Sequence, residues 1–220
     1  PTRVGYTFTG WDKEFTNITA DLVVTAQYEI NTYTVTFKDW DGTVLKTQEV
    51  QYGGDAEAPA DPTRVGYTFT GWDKEFTNIM ADLVVTAQYE INTYTVTFKD
   101  WDGTVLKTQE VQYGGAATAP ANPTRTGYTF TGWDKAFTNI MADLVVTAQY
   151  EINTYTVTFK DWDGTVLKTQ EVQYGGDAEA PADPTRVGYT FTGWDKAFTN
   201  IMADLVVTAQ YEINTYTVTF

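Results

Sequence analysis

The sequence predicts a mainly β protein: a tandem array of small, near-identical sheet domains, each running strand, strand, crossing segment, strand, strand. Three observations carry that prediction. "PTR" recurs at Pro1, Pro62, Pro123 and Pro184, a spacing of 61 residues each time in a chain of 220. Self-similarity at a fixed period defines the architecture before any single element does. Strand-forming Thr, Val and Tyr dominate, and aromatic residues make up 15% of the chain, the composition of pleated, half-buried surfaces. Finally, apolar side chains alternate with polar ones along the chain, the signature of strands with one buried face.

A period of 61 residues is long enough for a small domain near the lower limit of a self-sufficient core. The array is therefore expected to consist of beads, each stabilised partly by its neighbours. The first two periods differ only at Thr19/Met80, Asp55/Ala116, Glu57/Thr118 and Asp61/Asn122. Copies so alike imply recent duplication or deliberate construction.

Alternation locates the joint between beads. From Leu22 to Ile30 the apolar residues are Leu22, Val24, Ala26, Tyr28 and Ile30, all even. From Tyr33 the parity reverses, with Tyr33, Val35 and Phe37 apolar and Thr34, Thr36 and Lys38 polar. Side chains of a strand alternate strictly between faces, so one strand cannot keep one buried face through that inversion. The switch falls at Asn31-Thr32, too short for a flexible tether, and predicts a stiff connection. The complete units are then 33–93, 94–154 and 155–215. Residues 1–32 read as the second half of a truncated unit, and 216–220 as the opening strand of a further one. The abrupt start at "PTRVGYTF" reads as a stretch of a longer array.

Within one unit, "YTVTFKDWDGTVLKTQEVQYGG" (33–54) predicts a hairpin. Asp41-Gly42 supplies a two-residue turn in which both central residues take φ > 0. "GGDAEAPADPTRVG" (53–66), rich in Gly, Ala and Pro, is a crossing segment with at most one helical turn near Asp55–Ala58. "YTFTGW" (67–72) is a third strand with Tyr67 and Phe69 inward, and Gly71 is expected to kink it and re-aim Trp72. "DKEFTNIMADL" (73–83) connects to the closing strand "LVVTAQYEI" (83–91).

These residues resemble a known family. "YTVTF…DG…V…YGG…AP…P…GYTFTGW" is similar to the Listeria–Bacteroides repeat, the B-repeat of listerial internalin B, and the resemblance spans the chain. Its most specific part is "P-T-R-x-G-Y-T-F-x-G-W". The resemblance implies a β-grasp-like sheet domain in extracellular or cell-wall-attached bacterial proteins. It further implies stalk, fibre or adhesin modules, the proteins of surface layers and biofilms, and not enzymes.

Charge and missing residue types narrow the chemistry. Asp and Glu outnumber Lys and Arg 29 to 14, a net charge of −15. Such a surface repels a phosphate backbone, so nucleic acid is not an expected partner. Cys and His are absent, which removes disulfides, thiolate nucleophiles, imidazole bases and most transition-metal sites. Apolar runs are far shorter than a membrane-spanning helix requires.

Five features invite a site. "DWDG" (Asp39, Asp41 and their copies) begins like a calcium loop, yet it runs into the strand "TVLKTQ" instead of on to a Glu at the twelfth position. Paired carboxylates suit glycoside hydrolysis, but a site repeated in near-identical domains too small for a cleft argues against catalysis. Asn17-Ile18-Thr19 is formally a glycosylation sequon, and the other copies read Asn-Ile-Met. An internal isopeptide bond would need a buried trio of Lys, Asn or Asp, and an acid. Aromatics offer more. Trp11, after Gly10, is expected in a core, whereas Trp40, Trp101 and Trp162 sit at hairpin tips between two Asp residues and are candidates for ligand stacking. No catalytic, cofactor or metal residue is assigned.

The function expected is therefore non-catalytic: a stalk or fibre segment of a surface or secreted bacterial protein, projecting a distal domain or building a filament. The alternative is a multivalent adhesin module that binds host or glycan ligands through repeated exposed aromatics, gaining avidity from number. Expected partners are the neighbouring repeats. Head-to-tail self-association is a further expectation, since "TYTVTF" is uncharged, strand-prone and free of Pro. In the array Glu29 and Lys38-Asp39 flank it, but at 215–220 the C-terminal guard is missing.

Overall fold

A computed structural model describes all residues, 1–220. It is built of strands and turns, with no helix. Two compact units divide the chain. The first comprises Pro1–Tyr94 and Gln112–Gly115, the second Thr95–Val111 and Ala116–Phe220.

The first unit holds a two-stranded sheet of β1 (Tyr6–Trp11) and β2 (Ala26–Ile30). It also holds a four-stranded sheet of β3 (Thr32–Lys38), β4 (Val44–Gln51), β5 (Tyr67–Trp72) and β6 (Leu83–Ile91), in spatial order β4-β3-β6-β5. The sheet is mixed. β3 pairs antiparallel with β4 across the hairpin and parallel with β6, which pairs antiparallel with β5. This is the β-grasp-like arrangement of two hairpin-like pairs joined by a central parallel contact. A parallel pair requires a crossover of a dozen or more residues, which the segment from Gly53 to Gly66 and the strand β5 provide.

β6 divides its length between two partners. Leu83–Thr86 lies parallel to Val35–Lys38, and Ala87–Ile91 lies antiparallel to β5. The half-repeat at the start makes the reason visible. Leu22–Thr25 has no equivalent of β3 beside it, and β2 accordingly begins only at Ala26.

One face of the four-stranded sheet carries the core: Val35, Phe37, Val50, Ala56, Ile79 and Val85, with Trp72 and Phe76 packed against them. Val35, Phe37 and Val85 are wholly buried. Phe37 meets Trp72 and Phe76 edge to face, with centroids 5.0 and 5.3 Å apart, the geometry the ring quadrupoles favour. Trp72 reaches that position because Gly71 (φ 130°) forms a bulge against Gln88. Trp11, expected in a core, is 45% exposed, because β1 and β2 form a two-stranded sheet with no strand beside them equivalent to β3.

The second unit contains two further sheets of the same order. One is formed by β7 (Thr93–Lys99), β8 (Val105–Gln112), β9 (Tyr128–Trp133) and β10 (Leu144–Ile152). The other is formed by β11 (Thr154–Lys160), β12 (Val166–Gln173), β13 (Tyr189–Trp194) and β14 (Leu205–Ile213). The core of the last is the counterpart of the first: Val157, Phe159, Val172, Ala178, Ile201 and Val207.

The crossing segment forms no helical turn near Asp55–Ala58, within the one at most that was expected, and two other expectations need correction. The crossing segment instead pairs with the connector that follows β5: Gly53 N–H donates to Ile79 O, Ile79 N–H to Gly54 O and Ala56 N–H to Phe76 O. Those bonds use the backbone groups a helical turn would have needed. At the hairpin tip only Gly42 has positive φ (88°), so the loop is not the two-residue turn the Asp-Gly pair predicts. Gly42 N–H donates to Asp39 O and Asp39 N–H to Thr43 O, a three-residue loop closed by a left-handed Gly. Lastly, Thr215–Phe220 forms no strand, since both neighbours that flank β3, β7 and β11 follow later in the chain.

Candidate functional site

Two constellations recur: a joint at the end of each closing strand, and an aromatic stack at each hairpin tip.

The joint centres on Asn31, the single residue between β2 and β3, which belong to different sheets. Its N–H donates to Gly5 O (2.9 Å), and its carbonyl accepts from Tyr52 N–H (2.8 Å). Its side-chain Oδ1 accepts from Thr7 Oγ1 (2.6 Å). Asn31 is thus tied backwards to the strand β1 and forwards to the end of β4. Tyr52 packs beside Tyr33, with centroids 6.4 Å apart, and its ring lies against Gly5. A Cβ at Gly5 would fall 2.1 Å from Tyr52 Cδ1. In the second unit Asn153 N–H donates to Gly127 O, Asn153 O accepts from Tyr174 N–H, and Thr129 Oγ1 donates to Asn153 Oδ1. Neighbouring repeats are therefore in direct, repeated contact.

The stack is built at the β3–β4 tip. Asp39 Oδ1 accepts from Trp40 N–H (2.8 Å) and from the Tyr89 hydroxyl (2.7 Å), and Asp41 Oδ1 accepts from Thr43 N–H (2.9 Å). Partial burial, then the bond to the Asp39 carboxylate, push Tyr89 up to about 12. Hydrogen bonds from the Thr43 backbone and hydroxyl hold Asp41 below the ordinary carboxylate value. Both carboxylates of "DWDG" thus serve the turn. The Arg64 guanidinium lies between two rings, 3.9 Å from the centroid of Trp40 and 3.6 Å from that of Tyr67. Such cation–π contacts fix both the ring and the cation.

Trp40, Trp101 and Trp162 stand at the hairpin tips and are 52–53% exposed. Arg125 lies 3.9 Å over Trp101, and Arg186 lies 3.8 Å over Trp162. The arginine is the residue that sequence reasoning missed. Its signal was there: each "PTR" carries the only Arg of its repeat. Nothing in the local sequence, however, brings it to a hairpin tip 24 residues away. No Lys, Asn, Asp or Glu is buried, so the trio needed for an isopeptide bond is not assembled, and Asn17 lies in a loop with positive φ.

A fold of small mixed four-stranded sheets, repeated at a fixed period, defines a tandem-repeat module. The chain belongs to the Listeria–Bacteroides repeat family, whose model matches residues 33–88, 94–148 and 155–215. The chain is accordingly a tandem-repeat module of that family. It is 46% identical over 91 residues to internalin H of Listeria monocytogenes, a match covering 36% of this chain and 16% of that protein. It is 30% identical over 259 residues to a protein of Evansella cellulosilytica provisionally named a Gly-rich membrane protein, covering 98% of this chain and 30% of that one. The chain thus spans less than a third of either relative. A crystal structure of Mub-RV aligns with 84% of the chain and all of its own, at 14% identity and a TM-score of 0.17.

Proposed function

We propose that the chain is a load-bearing segment of a bacterial surface stalk or fibre, with complete units at 33–93, 94–154 and 155–215. Residues 1–32 carry the sequence of the second half of a unit, and 216–220 carry the opening-strand sequence of another. The observation that carries this reading is the one-residue joint. A single Asn bonded on both sides, with a Tyr ring docked on Gly5, restrains adjoining sheets far more than a polar tether would. Within each sheet the force-bearing ends also favour resistance. The opening strand β3 and the closing strand β6 lie side by side and parallel, so tension applied through them loads a row of hydrogen bonds together. The acidic surface limits collapse of one copy onto another.

Single-molecule pulling tests the reading. Evenly spaced rupture events are expected, each releasing roughly 200 Å less the folded length, at about 3.3–3.6 Å per residue. Irregular spacing, or extension without resistance, removes the mechanical role.

One observation favours a second reading, head-to-tail association of this chain. In the half-repeat a groove of about 400 Å³ is lined by Trp11, Phe15, Leu22 and Val24. The matching residues Trp72, Phe76, Leu83 and Val85 are covered by Phe37 and Val35 of β3. Thr215–Phe220 repeats the β3 sequence and leaves Tyr216, Val218 and Phe220 exposed. Addition of that strand to the groove of a second copy completes the interrupted sheet. Light scattering decides: mass rising with concentration, and reverting when 215–220 are removed, is the expected result, and a strict monomer at high concentration ends this reading.

A further inference from the structure

The geometry points to a binding site for uncharged saccharide at each hairpin tip, built from Trp40, Arg64 and Asp41 and repeated in the other two complete copies. This goes beyond the mechanical reading and does not depend on it.

The first argument is that the hydrophobic core has no use for Trp40. The core is closed by Phe37, Trp72 and Phe76, and Trp40 takes no place in it, remaining 53% exposed. A large aromatic held in water at the same place in every complete repeat is the kind of exposed apolar surface that marks recognition.

The second argument is preorganisation. The Trp40 backbone N–H donates to Asp39 Oδ1, which fixes the turn that carries the side chain, and Arg64 lies over the indole ring. The remaining face is therefore presented with little conformational freedom left to lose on binding. The half-repeat supplies an internal control. Arg3 has Tyr6 at 3.7 Å but no tip Trp, and it is exposed where Arg64, Arg125 and Arg186 are half-buried.

The third argument concerns the rim. The rings of Trp40 and Tyr67 both lie against the Arg64 guanidinium, whose N–H donors project in its own plane. It takes part in none of the chain's ion pairs, and no hydrogen bond within the protein uses it. Asp41 accepts from the Thr43 N–H at Oδ1 and from the Thr43 hydroxyl, which leaves lone pairs of its exposed carboxylate as acceptors. A flat apolar face bordered by free donors and a free acceptor matches a pyranose, whose C–H face stacks while its hydroxyls both donate and accept.

Charge then selects the class. Asp39 and Asp41 set two carboxylates against one guanidinium, on a chain of net charge −15. An acidic sugar would be repelled there, so the ligand is neutral. Three equivalent sites would add avidity on a repetitive glycan.

The test titrates the full chain with cellohexaose and N-acetylchitohexaose, and separately with polygalacturonate, following tryptophan fluorescence and the indole N–H resonances. Saturable binding of a neutral hexasaccharide at millimolar concentration or below is expected, little changed by added salt. The triple variant W40A/W101A/W162A should lose about tenfold in affinity for one stack, and more on a multivalent chain. The triple Trp→Tyr variant should retain most of it. If the alanine variant fails to fold by circular dichroism, R64K/R125K/R186K replaces it, and a severalfold loss is expected because an ammonium cannot form the planar stack. The inference is overturned if neither neutral hexasaccharide binds, if binding survives these substitutions in folded protein, or if polygalacturonate is preferred.

Discussion

The ring of Tyr52 occupies the space that a side chain on Gly5 would require. A Cβ at Gly5 would lie 2.1 Å from Tyr52 Cδ1, and Gly5 also sits at φ 77°. Two penalties thus act on any replacement there, and the repeats separate them. Gly127 faces Tyr174 at the same 2.1 Å, whereas Gly188 has the same backbone angle (φ 78°) with nothing within 4 Å. Gly188→Ala is expected to cost about 1 kcal/mol from backbone strain alone. Gly127→Ala should cost a further 1–3 kcal/mol or so, because the docked ring must move. Denaturant unfolding of the two variants measures the difference, which is the strength of the joint. Equal costs would mean that the Tyr contact contributes nothing.

Phe159→Ala is expected to destabilise its repeat by about 3–5 kcal/mol. Phe159 is wholly buried and meets Trp194 and Phe198 at 5.0 and 5.3 Å. A domain of this size has little stability to spare, so the substituted repeat should melt well before the others. Calorimetry should resolve a separate early transition in place of one shared one.

Alkaline pH should loosen each hairpin tip. Tyr89, Tyr150 and Tyr211 are raised from 10.0 to about 12 in the folded protein. Between those values the folded state holds a proton that the unfolded state has released, so stability falls as pH rises through that window. The contribution is fully present below pH 10. Absorbance titration at the phenolate band should show three late-ionising tyrosines, and Tyr89→Phe should remove one of them. At the acid end the sign reverses. Asp41 is lowered from 3.8, so its contribution is present above that value and fades as pH drops below it.

Gly42→Ala is expected to cost about 1 kcal/mol. The residue sits at φ 88° with open space around it, so backbone strain is the whole effect. Thermal unfolding measures it, and a neutral result would mean that the loop relaxes to another turn.

Much of a repeat was legible along the chain, for a physical reason. Strand faces alternate with a period of two, so the inversion between Ile30 and Tyr33 declares two differently facing strands whatever surrounds them. The closing strand Leu83–Ile91 and the bulge at Gly71 followed from the same local pattern and from a glycine. The tip did not. Asp-Gly favours a two-residue turn, but Asp39 has a second commitment, to the hydroxyl of Tyr89 fifty residues away, and the loop widens to suit it. The crossing segment near Asp55–Ala58 likewise forgoes a helical turn, because Phe76 and Ile79 offer its backbone better partners. The Arg64 stack was invisible for the same reason: its rings come from separate strands.

The sequence by itself determined the period, the strands and their inward faces, because each depends on neighbours along the chain and on strict backbone alternation. Tertiary structure alone decided which strands lie parallel, that a tyrosine docks on a glycine at the joint, and that an arginine is clasped between two rings. Those contacts join residues far apart in sequence, and only the closed fold brings them within reach.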